Sequence, residues 1–495
     1  MTLPARTSLA NEDLLPVAPE RRTWNWWHIA SLWIGMAICI PTYTLASGLV
    51  DQGWTWQAAV GAVVLGNLVV LLPIALNSHA GTRYGIPFPV LARSSFGVLG
   101  ANIPAVLRGL VACGWFGIQT WIGGWAIYKL IEVLWPGIAT LPQILPAFVG
   151  LNTGEFVCFM IFWALNVWIV LRGMESIKFL EAWGSPFLLL VGVVLLVWAI
   201  VRVGGVGPML QNTGGQTLAN GRGIAGAFSV GLTSAVAFWG TMALSIPDFS
   251  RFARSQRDQI VGQAVGLPGT MALFAFIGAA VTNATVIIFH QRIADPIALL
   301  ARIGGPVMIM LSMVGLSVAT LTTNIAANIV APANGFSNLA PHKITFKQGA
   351  IITAVIGILM MPWRLYNDAA AYIFTWLIGY GALLGPVAGI MIADYFVLRR
   401  GVLNLNDLYK RHGVYEYARG FNWVAIAALV IGIVPNLPGF VAALRGTPAA
   451  GFWSSLYNWA WFVGFFLAAV VYSVGMRVIG AEQRSRIEED VRTRG

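Results

Sequence analysis

The chain is expected to fold as an all-α integral membrane protein with twelve transmembrane helices, on three observations. Of its 495 residues, 58% are hydrophobic and only 10% charged, against about 25% charged in a soluble globular chain. Mean hydropathy is +0.75. Apolar runs of the roughly 17–25 residues needed to cross a bilayer recur from near residue 27 to near residue 479. The runs are continuous rather than alternating, which favours helices over a barrel.

In order, the spans read 27–50, 56–77, 101–131, 155–172, 184–203, 225–245, 262–289, 306–333, 346–362, 369–398, 422–437 and 452–479. They divide into an N-terminal tail (1–26), a first five-span group (27–203), a second (225–398), two further spans within 422–479, and a C-terminal tail (480–495). The opening "MTLPARTSLANEDLLPVAPERR" is polar, carries both signs and precedes a full-length span, so it reads as a tail rather than a cleaved signal. Loops at about 78–100, 203–224 and 399–421 are the longest, and too short to bury a core.

Net charge is +11 and the pI about 9.9. With the N-terminus inside and every segment spanning, 23 of the 30 Lys and Arg fall on the inner side, Arg83, Arg93 and Arg108 among them as loop charges. That asymmetry places both termini in the cytoplasm of a multi-pass plasma-membrane (inner-membrane) protein. The basic excess then reflects topology and contact with the cytoplasmic leaflet, and no nucleic-acid partner is expected. A monomer is expected.

Pro and Gly interrupt several spans: "AICIPTYTLASG" (37–48) in span 1, "ALSIPDFSRF" (243–252) at the end of span 6, and "NIVAPANGF" (328–336). Spans 1 and 6 occupy corresponding positions in two five-span halves. Paired broken helices there point to a binding site near the membrane midplane.

Neither HExxH, GxxxxGK[ST], CxxC nor GxSxG occurs, which argues against an enzyme or an ATP-driven pump, and no cofactor is expected. The five His are scattered, and Cys39, Cys113 and Cys158 have no metal or redox spacing; packing of small buried residues is their default reading. What remains inside the spans is neutral and polar. Trp115 and Gln119 lie i, i+4 on one face of span 3, Trp239 lies in span 6, and Thr322, Thr323, Asn324 and Asn328 lie in span 8. Such residues also glue helices together, but their concentration on three spans favours a site. Gln and Asn each set an N–H donor beside a C=O acceptor, the complement of a cyclic imide or ureide. Indole faces stack on flat rings for about 1–3 kcal/mol. No charge is offered to an amino acid or phosphate.

Glu132, Glu155, Asp248 and Asp394 all fall at span ends, whereas proton-driven carriers place such groups within the spans. Backbone oxygens near Gly35–Ile38, set against Ala319, Thr322 and Thr323, suit sodium. Sodium is favoured over a proton using the end-of-span carboxylates.

These residues lie in motifs that resemble the nucleobase:cation symporter-1 family nearly end to end. The motifs include "NEDLLPV" (11–17), "WIGMAICIPTYTLASG" (33–48), "NSHAGTRYGIPFPVLARSSFG" (77–97), "GWFGIQTWIGG" (114–124), "TTNIAANIVAPANGF" (322–336) and "LGPVAGIMIADYFVLRRG" (384–401). The resemblance implies a LeuT-like fold of two inverted five-helix repeats plus two helices. It implies stacking by Trp115 and Trp239, amide hydrogen bonds from Gln119 and Asn328, a lining of Cys39 and Phe238, and an external gate at Leu377. It implies a sodium site of Gly35, Ile38 and Ala319 backbone oxygens with Thr322 and Thr323 hydroxyls. The family's hydantoin transporter has a glutamine where this chain has Cys39, which removes one amide contact. The expected activity is import of a small nucleobase or ureide with a cation, uracil ahead of allantoin and hydantoin. A purine or cytosine carrier, a cation-independent carrier, and a channel or receptor of the same architecture are the alternatives.

Overall fold

The computed structural model describes residue 9 and residues 11–172, 174–211, 224–366, 368, 371–446 and 451–494. Helices carry the architecture, and there is no β-strand among the described residues. The first helix, α1 (Trp26–Ala37), starts on a capping box: the Asn25 side chain accepts from the N–H groups of Trp27 and His28, and the His28 ring takes the Asn25 N–H. It stops because Cys39 is extended (φ −146°) and Pro41 has no N–H to offer. The Thr42 N–H, which an unbroken helix would send to the Ile38 carbonyl, turns to Cys39 O at 3.1 Å. The chain resumes as α2 (Ile40–Asp51), bent 54° from α1.

Helix α3 (Trp56–Tyr84) is capped by Thr55 and ended by Gly85 at φ 73°, a conformation open to glycine. Two one-turn helices, Phe88–Leu91 and Arg93–Phe96, lead to α4 (Asn102–Leu134), α5 (Thr153–Arg172) and α6 (Met174–Val203). The second half repeats the broken-helix device: α7 (Ile224–Phe238) stops at Trp239 and α8 (Gly240–Ser245) continues. Then follow α9 (Gln256–Phe289), α10 (Pro306–Asn328), α11 (Val330–Leu339) and α12 (Phe346–Leu359). A π-helical turn, Ala371–Leu377, feeds α13 (Ile378–Ile392), and α14 (Trp423–Ile433) and α15 (Ala460–Arg494) close the chain.

Among the described residues nine helices are long and apolar enough to cross a membrane, and the bent pair α1–α2 makes a tenth. The sixth and ninth spans of the sequence reading appear as shorter apolar helices, Ala227–Phe238 and Phe346–Leu359. The eleventh runs further than the sequence suggests, over Trp423–Leu444 rather than 422–437. The backbone takes a 3-10 turn at Val434–Asn436 and continues as Leu437–Leu444.

Two packed groups emerge. Helices α1, α2 and α3 pack on α9, and α7 and α8 pack on α3. Helix α4 is the centre of the other group, packed against α5, α10, α11 and α12. Outward-facing side chains are apolar, as at Leu65, Leu68 and Leu72 of α3 and Phe466, Val470 and Val474 of α15, while Asn67, Asn77, Asn166 and Asn324 are buried. Polar groups inside and hydrocarbon outside is the arrangement a lipid solvent selects.

One face carries the N-terminal tail, and its loops are far from idle. Arg93 and Arg108, expected as loop charges, are only 1% and 2% exposed. Arg93 donates to the carbonyls of Leu9 and Leu408 and to Asn338 Oδ1, which joins tail, loop and helix end. The loop over 399–421 buries Leu403, Leu408, Tyr409 and Tyr415. Beside it, Asp394 takes hydrogen bonds from Ser94 and Tyr472 and an ion pair from Arg399 Nε at 2.7 Å.

Candidate functional site

Where the two groups meet, both broken spans face α4 and α10 around a cavity of ≈ 30 Å³. Its wall includes Cys39, Trp115, Gln119, Phe238, Trp239 and Asn328, so the structure brings six of the expected substrate-binding residues together. Thr323, expected as a sodium ligand, reaches the same wall. Leu377, expected as the external gate, is outside this wall; it is fully buried one residue beyond Trp376, whose ring packs on Trp115. Met36, Thr241, Met242 and Ala327 complete the wall and were missed. Their positions give the only available signal, since each falls within four residues of an expected site residue.

Trp115 is held by rings on several sides. The ring centroids of Phe238, Trp376, Tyr372 and Tyr380 lie 5.3, 5.9, 6.2 and 6.3 Å from it, all in edge-on geometry. Gly114 makes this possible: a Cβ there would meet the Trp376 ring at 2.2 Å. Trp239 packs edge-on against Trp33 at 5.0 Å, and both indole N–H groups are buried without a hydrogen-bond partner. The break at Trp239 has its own support, since the Tyr380 hydroxyl donates to the Phe238 carbonyl at 3.3 Å.

The two amides are placed differently. Gln119 is buried and shares the wall with Cys39, whose thiol meets the Thr42 hydroxyl at 3.3 Å. Asn328 is positioned by a polar layer behind it. Its Nδ2 donates to Asn324 Oδ1 at 3.0 Å. Asn324 Nδ2 in turn reaches the Phe116 carbonyl, Thr120 Oγ1 and Asn166 Oδ1 at 3.1–3.2 Å. That layer ties α4, α5 and α10 together, and it leaves the Asn328 carbonyl oxygen uncommitted to Asn324. Asn324→Ala is expected to raise the substrate KM by about 10-fold by letting Asn328 turn, and to cost about 1–3 kcal/mol of stability through unpaired acceptors. Substrate titration and a melting curve on the purified variant check both.

Of the expected sodium ligands, Ala319 O accepts from the Thr323 hydroxyl at 3.1 Å. Helix α1 packs directly on α10, and Ile38 caps its C-terminal end, where the Thr42 N–H turns to Cys39 rather than to the Ile38 carbonyl. The side chain of Thr322 lies outside the described ones. Among the described residues no group of three or more His, Cys, Asp or Glu could hold a metal ion, and the expected ligands are backbone and hydroxyl oxygens instead.

A second, larger cavity of ≈ 710 Å³ opens on the face opposite the N-terminal tail. Trp121, Trp125, Trp363 and Tyr366 line it, with Asp51, Glu155, Asp295 and Asp368 and the two cations Arg292 and Arg364. Burial raises the Asp295 carboxyl above its usual range, against the N–H groups of Ile297 and Ala298. The partition between the two cavities is short. Ile40 and Ile122 line the larger one, one residue from Cys39 and three from Gln119, and Tyr372 lines it while touching Trp115. Tyr372 is pinned there by its hydroxyl, which donates to the Pro41 carbonyl at 3.2 Å.

Residues 16–464 match the family described as permease for cytosine/purines, uracil, thiamine, allantoin. The chain belongs to the nucleobase:cation symporter-1 family. It is 47% identical over 484 residues to the purine-uracil permease NCS1 of Arabidopsis thaliana, covering 97% of this chain and 79% of that protein. Identity to the allantoin permease of Bacillus subtilis is 41%, over 95% of this chain and 94% of that one. A solved nucleobase-cation-symport-1 transporter, in a closed conformation with bromovinylhydantoin bound, superposes with a TM-score of 0.77 at 27% identity. The alignment covers 96% of this chain and 97% of that one. The symporter-1 chain is therefore a multi-pass membrane transporter with the LeuT-like fold, from a family of permeases rather than enzymes.

Proposed function

We propose that this symporter-1 chain imports a small neutral cyclic nucleobase or ureide with a cation, sodium rather than a proton, across the plasma membrane. Uracil is the favoured substrate, followed by allantoin and hydantoin. Both termini are cytoplasmic in this reading, so the ≈ 710 Å³ chamber faces outward. The observation that carries it is the convergence of Trp115, Gln119, Trp239 and Asn328 on one cavity with no charged side chain among its described lining residues. A ring carbonyl beside a ring N–H matches the Gln119 and Asn328 amides, and the indoles accept its faces. The names of the purine-uracil and allantoin permeases support the substrate class.

A cavity of ≈ 30 Å³ holds one or two waters rather than a six-membered ring. Substrate entry therefore requires the partition at Ile40, Ile122 and Tyr372 to give way and the helix groups to part. The ring then replaces water at the two amides, and the cation binds between α1 and α10. Each ligand shifts the equilibrium only by its differential affinity for the two states. Uptake into proteoliposomes against uracil, cytosine, allantoin, hydantoin and adenine, with and without a sodium gradient, tests the reading. Uphill accumulation of uracil that collapses without sodium supports it. Absence of accumulation for all five solutes overturns it.

One observation favours a proton as the alternative ion. Asp248, on the short helix Pro247–Ser250 between spans, is 2% exposed, and burial pushes its carboxyl up to about 6, against the opposing pull of Arg251, the Phe88 N–H and Arg108. Its unfolded value is about 3.9. The native state therefore holds the proton more tightly, and stability falls as pH rises from about 4 through 6. Asp248→Asn keeps an acceptor for the Phe88 N–H and is expected to be about 2–3 kcal/mol more stable than the parent at pH 7.5, with no difference near pH 4. Thermal melts at both values check this. If a proton is the coupling ion, the same variant loses pH-driven uptake; sodium-driven uptake is unaffected.

A further inference from the structure

Arg108 is a cation on the substrate face of α4. Positions 108, 115 and 119 fall on one side of the helix, with Arg108 about 10 Å from Trp115 toward the face of the N-terminal tail. It is buried, and its Nε donates to the Thr241 carbonyl at 2.9 Å and to Ser245 Oγ at 3.2 Å. Both acceptors belong to α8, the second half of the broken span, and Thr241 also forms part of the cavity wall. The guanidinium thus joins the two helix groups immediately beneath the pocket floor. Its NH1 is buried and has no partner. Among the described residues no carboxylate pairs with it, and Asp248 acts on it only at a distance.

A desolvated cation with an idle donor is costly, and no structural need accounts for one here, since the two bonds to α8 already use Nε. The acceptor it holds is informative. An amide carbonyl from the chain is the same chemical group as the lactam or imide carbonyl of a nucleobase or ureide. A charged donor binds such a neutral oxygen more strongly than an amide does, and arginine keeps its charge at any working pH.

We propose that Arg108 is the exit subsite of the transporter: it latches α8 to α4 while the cytoplasmic side is shut, and its unpaired NH1 takes a carbonyl oxygen of the departing ring when that side opens. This rests on the transport reading above. Opening inward must separate α8 from α4, which releases the Thr241 carbonyl and frees the guanidinium at the moment the ring descends. The substrate carbonyl replaces the chain's own, so the released latch is not left unpaired.

The test is radiolabelled uracil transport by the full chain in right-side-out and inverted membrane vesicles, which gives a KM for each face. Losing a charged hydrogen bond used only on the cytoplasmic side is expected to raise the cytoplasmic KM of Arg108→Gln by about 10-fold or more, with the external KM within about twofold of the parent. Arg108→Lys, which keeps charge but not the fork, is expected to fall between them on the cytoplasmic face. Equal shifts at both faces, which a merely structural brace would give, overturn the proposal, as does no shift at either. If Arg108→Gln fails to reach the membrane, the two KM values of Arg108→Lys decide by the same criterion. Parent vesicles that carry no uracil from either face would remove the transport reading and this subsite with it; normal parent transport without the asymmetry removes the subsite alone.

Discussion

Trp115→Ala and Asn328→Ala are each expected to abolish saturable uptake while the protein still inserts and purifies. Trp115 supplies one stacking face, about 1–3 kcal/mol, and its removal also loosens four surrounding rings. That corresponds to a loss of affinity of about 10- to 100-fold, and a small neutral ring has few other contacts with which to compensate. Asn328 loses its interaction with the ring and leaves Asn324 Oδ1 without its donor. Substrate-dependent fluorescence quenching and vesicle uptake on the same preparations separate binding from folding. Unchanged transport in both variants would remove the pocket assignment.

The second large effect is on stability. Arg399→Met is expected to lower the yield of folded protein severely and to cost about 3–5 kcal/mol, because it strands a buried carboxylate. Asp394 is only 1% exposed at its side chain. It would keep the Ser94 and Tyr472 hydroxyls but lose its countercharge. Arg399 also donates to the Ser94 carbonyl and the Tyr417 hydroxyl, so one substitution loosens the helix Arg93–Phe96 and the loop over 399–421 together. Detergent melting curves measure it. Asp394→Asn, which removes the stranded charge instead, is expected to be milder.

The break in the first span was legible because proline leaves a local signature: Pro41 cannot donate, and the chain bends there. The second was misplaced, since the sequence points to 243–252 around Pro247 while the helix stops at Trp239, which carries no such signature. The site was legible where amides and indoles stand out against apolar neighbours, as at Gln119 and Asn328. Counting charges along loops cannot detect burial, and so the burial of Arg93 and Arg108 was hidden. Carbonyl acceptors from distant segments accommodate both. The ring cage on Trp115 was equally hidden, since 21 tryptophans give no hint that Trp376, rather than any other, reaches it across Gly114.

The contrast in size between the two cavities bears on how this carrier can be blocked. A compound cut to the dimensions of its cargo has to pry the inner walls apart, just as the cargo does, and then competes on equal terms. The larger chamber already offers roughly twenty times that room, flanked by Trp121, Trp363 and Tyr366. Effective inhibitors are therefore expected to be oversized wedges with a flat aromatic body and a cationic tail for the surrounding carboxylates, jamming the doorway instead of imitating what passes through it.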